Sequence, residues 1–249
     1  MSTIVSVHAH PDDEALLTGG WLAQRAAAGD RVVLVFATDG DAGLAAPKYS
    51  VGALGQTRRR EAAASARALG TARIAWLGYA DSGMADAPTT RSGRLVDAPI
   101  EDAARAVAVI LDEEDADILT GYDANGGYGH PDHIHVHRVA RKAQQLASRR
   151  PLLLEATLDQ TWLLRILRIL RPLGRWVPGL TLPGDDIYTP RTGLSLRVDI
   201  RSHVDAKRAA LAAHTSQTGG GVRTIGLILA LPRPLARRLL GIEWFHAVP

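Results

Sequence analysis

The sequence predicts an α/β fold, a mostly parallel sheet flanked by helices and followed by a C-terminal extension. Three observations predict it. Short apolar runs, partly β-branched, alternate with helix-length patterns over the first 150 residues, and this alternation marks βαβ units. Gly29 and Gly70 stand where the first two helices need C-caps. Polar residues crowd the expected carboxyl ends of the strands, the side on which such sheets bind ligands.

The apolar runs Ile4–Val7, Val32–Ala37, Ile74–Leu77 and Ile118–Thr120 read as buried parallel strands. Leu152–Leu158 reads as a fifth. Helical patterns occupy Glu14–Ala28, Thr57–Leu69, Ile100–Glu114 and Pro131–Ser148. The loops Asp39–Gln56 and Ala80–Pro99 are long and lie on the ligand side, where length implies function. Further on, Leu194–Ile200 alternates like a strand and Arg201–His214 is helical in pattern. His10, Asp39, Tyr79, Ala80, Asp81 and Asp123 fall at strand ends that converge on one crevice.

The composition excludes several classes. The chain has no cysteine, so a metal site must use imidazole and carboxylate, which points to a catalytic site. A net charge of +3 gives no footprint for nucleic acid. No GxGxxG follows the first strand and no Walker sequence is present. The N-terminal residues lack a basic, cleavable leader, and no run reaches the roughly 18–20 apolar residues of a membrane span. The expectation is a cytoplasmic protein acting on a small molecule, with homo-oligomerisation open.

Two clusters carry the chemistry. Val7-His8-Ala9-His10-Pro11-Asp12-Asp13-Glu14 follows the first strand, and Gly127-Tyr128-Gly129-His130-Pro131-Asp132-His133-Ile134-His135-Val136-His137 follows a later one. Ionisable groups at the end of a buried strand are costly unless a cation offsets their desolvation. Pro11 and Pro131 suit first helical turns, and the acids beside them suit the positive end of a helix dipole. His10 and Asp13 on one turn, joined by an imidazole of the second cluster, make three ligands with an open position. A metal held so lowers the pKa of water towards about 7. Asp12 is then free as general base, and an unbound histidine can protonate the leaving group or stabilise the oxyanion. The residues alone leave open which imidazole ligates, since His130, His133 and His137 are all spaced to share a helix face. His135 and His137 read as solvated or core-satisfied, Glu14 as a helix-start residue, and His8 has no assignment.

The sequence Ala9-His10-Pro11-Asp12-Asp13-Glu14 with His130-Pro131-Asp132-His133 resembles the LmbE/PIG-L-like zinc N-deacetylases. It is also similar to the mycothiol-pathway branch of that family. The resemblance spans about residues 3–150. It implies a Rossmann-like core over 1–150 and a variable part over 151–249 that completes one domain and its substrate pocket. It implies that His10, Asp13 and His133 bind Zn2+, with Fe2+ or Co2+ able to take its place. Asp12 would be the base, with His130 and Tyr128 beside the scissile carbonyl. Arg58 and Asp81 would bind substrate, although a surface helix charge is the bland alternative for Arg58. Asp132 would orient a ligand imidazole. The implied reaction removes an acetyl or other acyl group from an N-acyl amino-sugar conjugate. Alternatives are amide hydrolysis of a thiol-cofactor conjugate or of a lipid-linked or antibiotic substrate, and a non-catalytic metal- or sugar-binding role.

The chain after residue 150 departs from the resemblance. Gln160–Leu182 and Ala206–Ile242 contain no acid and several arginines among leucines and isoleucines. The first could lie on a membrane surface, but burial of its apolar stripe within the fold is the preferred reading.

Overall fold

In a computed structural model, strands and helices alternate as the periodicity requires. The structure describes residues 1–42, 53–85, 87–161, 189–218 and 224–248. Five parallel strands form most of one sheet: β1 (Thr3–His8), β2 (Arg31–Thr38) and β3 (Arg73–Tyr79), then, after a two-residue hairpin of β4 (Gly83–Met84) and β5 (Ala87–Pro88), β6 (Ile118–Tyr122) and β7 (Leu152–Thr157). The C-terminal strands β8 (Leu196–Asp199) and β9 (Ile242–Val248) complete it, with β9 antiparallel to both β7 and β8. The order is β3-β2-β1-β6-β7-β9-β8.

The chain leaves β1 in one direction through β2 and β3. It then crosses back to lay β6 on the other side of β1. That reversal makes a switch point between β1 and β6, where loops part and a ligand crevice opens. Residues Ile4–His8 and Val32–Thr38 are buried throughout, as parallel strands covered on both faces must be. β3 and β8 are the edges and are more exposed.

Helices cover the two faces. On one lie α1 (Gly19–Ala27), α2 (Ala53–Leu69) and, from the C-terminal region, α6 (Val204–Ala213). On the other lie α3 (Ile100–Glu113) and, after the short turn α4 (Gly126–Gly129), α5 (Pro131–Leu146). Two further helices, α7 (Thr224–Ala230) and α8 (Arg233–Leu240), precede β9. The core between the layers holds Ile4, Val33, Leu34, Phe36, Leu119, Tyr122 and Leu153. Gly29 and Gly70 have φ of 92° and 73° and end α1 and α2. The helix expected from Glu14 begins instead with a π-turn over Glu14–Thr18, an irregularity common beside functional sites.

The extension is joined to the core through its last strand. Glu243 on β9 accepts from Gly20 N (2.8 Å) and Trp21 N (2.7 Å), so a carboxylate caps the positive end of α1. Lys207 on α6 donates to the same carboxylate (2.7 Å) and to Leu16 O (2.8 Å). Both charged side chains are nearly fully buried. Arg208 donates to the carbonyls of Ile228, Leu229 and Leu231 and closes the end of α7. The Arg/Leu-rich segment 162–182 lies outside the described residues. No helix among them is long and apolar enough to cross a membrane.

The Glu243–Lys207 pair supports a prediction. Removing one partner of a buried pair strands the other, so Glu243→Ala is expected to lower unfolding free energy by about 3–5 kcal/mol in urea titration. A loss below about 1 kcal/mol would place the pair among weak surface contacts.

Candidate metal centre

The β1 turn is built to point side chains inward. Ala9 N donates to Tyr122 Oη (2.8 Å), and Ala9 O accepts from Thr38 N and Thr38 Oγ1 (both 3.0 Å). His10 N donates to Asp13 Oδ2 (2.9 Å), closing the turn on itself. Asp12 has φ of 112°, a conformation that L-residues rarely adopt.

The second turn needs glycine. Gly126 and Gly127 have φ of 58° and 68°, which side chains resist. A Cβ at Gly126 would lie 2.7 Å from Ile134 N and 2.9 Å from His133 Cβ. The absent side chain lets this turn fold onto the first residues of α5. Asp123 holds the turn by accepting from Gly127 N (2.8 Å). His130 is the N-cap of α5 and Pro131 opens it, with His130 Nδ1 accepting from Asp132 N (3.2 Å).

These turns bring three donor atoms together. His10 Nδ1 lies 3.3 Å from His133 Nε2 and 3.5 Å from Asp13 Oδ2, and His133 Nε2 lies 3.3 Å from Asp13 Oδ2. Ligands at 2.0–2.1 Å around a tetrahedral ion stand about 3.3–3.4 Å apart, so the triangle has the size such an ion requires. The outer nitrogens are used elsewhere. Gly126 O accepts from His133 Nδ1 (3.1 Å), and Asp132 Oδ2 accepts from His10 Nε2 (3.1 Å). A carbonyl can only accept, so the proton of neutral His133 sits on Nδ1 and Nε2 presents a lone pair. Two lone pairs and a carboxylate facing one another within 3.5 Å call for a cation. His10 shows the same demand. Burial opposes its charge, yet Asp81, Asp13 and Asp132 outweigh burial and raise it well above the ordinary histidine value. Burial likewise works to raise Asp13, but His133 and His10 hold it well below the usual carboxylate range.

The described residues also group His10 with His130 and His133, and His10 with Asp81 and Asp132, within 4.8 Å. The tighter His10–Asp13–His133 triangle fits a metal better. His130 Nδ1 is taken by Asp132 N, and Asp81 and Asp132 lie on the protonated side of His10.

The triangle opens onto a cavity of about 640 Å³. Asp12, Arg58, Asp81, Tyr128 and His130 line it near the donors, and Leu16, Ile225, Ile228 and Leu240 line its apolar side. Burial pushes the Asp12 carboxyl up to about 6 against the pull of Arg58 Nη2, 3.3 Å away. Burial, reinforced by the neighbouring imidazoles of His10 and His133, lowers His130 to about 4, so it stands neutral, and with Nδ1 accepting from Asp132 N its proton is on Nε2. Asp81 accepts from Gly83 N (2.9 Å) and lies 3.5 Å from His10 Nε2. Against burial, His10 holds its carboxyl far below the usual range.

The two clusters thus meet in space, with Asp132 against the His10 imidazole and Tyr128 half-exposed at the cavity. The bland reading of Arg58 is overturned. Its side chain is buried and holds Gly40 O (2.7 Å), Pro11 O and the Asp12 carboxylate. Glu14 is more than a helix-start residue, since it also accepts from Ser65 Oγ (2.5 Å) and contacts His214 Nε2 (2.7 Å). Asp39 turns away to Arg59 (3.5 Å). His137 is satisfied by Tyr122 O (3.0 Å) and Glu155 (3.1 Å), as a core histidine should be. His8 bonds Ser6 Oγ (2.7 Å) beneath the site.

Tyr122 was missed by sequence reasoning. Its hydroxyl donates to Asp13 Oδ2 (2.6 Å) and its ring stacks on His133 at 4.3 Å. The available signal was a tyrosine at the end of a buried strand, whose hydroxyl needs a polar partner. Tyr122→Phe is expected to weaken divalent-metal affinity about 10–100-fold by calorimetry. Unchanged affinity would reduce Tyr122 to a packing residue.

Comparison with known proteins agrees with the motifs. The family model PIG-L, GlcNAc-PI de-N-acetylase, matches residues 5–144. A 1D-myo-inositol 2-acetamido-2-deoxy-alpha-D-glucopyranoside deacetylase from Nocardiopsis dassonvillei is 35% identical over 96% of this chain and 91% of its own. One of the same name from Thermomonospora curvata is 35% identical over 97% and 89%. The structure of an N,N'-diacetylchitobiose deacetylase from Pyrococcus horikoshii superposes with a TM-score of 0.65 at 21% identity, covering 100% of this chain and 84% of that one, and shares its fold. The chain belongs to the PIG-L family of de-N-acetylases and is a deacetylase.

Proposed function

We propose that the chain hydrolyses the acetamide of a 2-acetamido-2-deoxy-glucosyl conjugate, of the kind for which its relatives are named. The observation that carries this reading is the His10–Asp13–His133 triangle at the base of a cavity shared with Asp12, His130 and Tyr128. His10 Nδ1, Asp13 Oδ2 and His133 Nε2 are the atoms that would hold Zn2+, and the same donor set accepts Fe2+ or Co2+. When bound there, the ion would supply Lewis acidity to water and to the acyl carbonyl.

The protein's own groups divide the remaining work. Asp12 takes a proton from the attacking water, whose oxygen bonds to the acyl carbon. Its carboxyl, lifted to about 6, is a stronger base than an ordinary aspartate while remaining largely ionised near neutrality. Arg58 holds it in place. Neutral His130 presents Nε2–H towards the cavity, because Nδ1 is occupied by Asp132 N. It and the Tyr128 hydroxyl donate to the oxygen on which negative charge develops. The carbon–nitrogen bond then breaks, the proton on Asp12 passes to the departing amine, and the acid leaves as acetate. Asp81 lines the cavity beside His10 and would accept from sugar hydroxyls. The protein would work in the cytoplasm.

Three results test this reading. Released acetate from the inositol conjugate should disappear on chelation and return with Zn2+. Chelator-insensitive hydrolysis contradicts it. Asp12→Asn should retain metal and lose about 10²–10⁴-fold in kcat, and full turnover with unchanged metal content removes Asp12 as base. Sugar binding without any turnover by the loaded wild type would return the non-catalytic reading.

A further inference from the structure

We infer that His214, some 200 residues along the chain from the first motif, is a positioning residue for Asp12, acting through Glu14. This rests on Asp12 being the base. The case starts from the backbone. Asp12 sits at φ of 112°, and such a conformation persists only where surroundings over-determine it. Its carboxylate is held from one side by Arg58. Its amide is held from the other, because Asp12 N donates to Glu14 Oε2 (2.9 Å).

Glu14 is fully buried, and its orientation depends on what grips its other oxygen. Glu14 Oε1 meets His214 Nε2 at 2.7 Å and accepts from Ser65 Oγ at 2.5 Å. His214, also fully buried, stands at the C-terminal end of α6. The turn that follows it is pinned to α2, where Glu61 accepts from Thr215 Oγ1 (2.8 Å), Ser216 N (2.7 Å) and Ser216 Oγ (2.6 Å). A fixed turn, a fixed imidazole and a fixed carboxylate therefore end on the amide of the proposed base. His214 is not one of the residues that line the cavity, and its imidazole reaches Asp12 only by way of Glu14. Its effect would be on where Asp12 points, and small misplacements of a reacting group are expensive.

The test is a steady-state comparison on metal-loaded protein, with metal content and Tm measured alongside. His214→Ala is expected to lower kcat about tenfold or more while KM and metal stoichiometry stay within about twofold. His214→Gln, which keeps an N–H donor towards Glu14, should recover most of kcat. A merely structural histidine would lower Tm and leave kcat of the folded enzyme unchanged, and that result overturns the inference. If His214→Ala does not fold, Ser65→Ala removes the other side-chain donor to Glu14 and carries the same comparison. A reduced kcat at unchanged KM supports the inference, and an unchanged kcat overturns it. If Asp12→Asn is inactive while His214→Ala and Ser65→Ala both retain full kcat, only the positioning role falls. If Asp12→Asn is fully active, the base assignment falls first.

Discussion

Two imidazole lone pairs and a carboxylate oxygen, all within 3.5 Å of one another, are what the rest of this structure is arranged around. Such a cluster is repulsive without a cation and costly to bury. It persists because each donor is fixed from behind. Gly126 O and Asp132 orient the two rings, and His10 N and Tyr122 Oη bind the Asp13 oxygen. The sheet order follows the same need. A switch point between β1 and β6 is where the two carrying turns can face each other.

Three consecutive acids show how environment separates chemically similar neighbours. Asp12 pairs with Arg58, Asp13 with two imidazoles and a tyrosine, and Glu14 with His214 and Ser65. Burial alone would raise all three. Their partners push Asp13 and Glu14 down and leave Asp12 up, at about 6. Under the proposed mechanism acid–base chemistry falls on that one carboxylate, while its neighbours keep the charge that a cation and a backbone amide would need.

The C-terminal region does more than extend the sheet. Glu243 caps α1, Lys207 is locked beneath it, and His214 grips Glu14. Together with Ile225, Ile228 and Leu240 along the cavity, these contacts make residues beyond 150 part of the site.

Much of this was legible in the residues alone. Unbroken apolar runs at Ile4–Val7 and Val32–Ala37 specify strands buried on both faces, because only such strands need no polar side. Two His-Pro-Asp turns at strand ends specify paired, ionisable clusters, since Pro and Asp suit a helix start and histidine there has no packing purpose. The contacts of Tyr122, Arg58, Glu14 and His214 depended on the tertiary structure. Each meets a partner far along the chain, from 18 residues for Arg58 and Gly40 to 200 for His214 and Glu14, and local spacing carries no record of such contacts. Arg58 sits among three consecutive arginines, and only packing decides which guanidinium is drawn inward to the carbonyls of Pro11 and Gly40. The sequence by itself determined which chemical groups are present and which turns carry them. Their distances, protonation and division of labour were decided by the fold, because those depend on burial and on neighbours that only folding supplies.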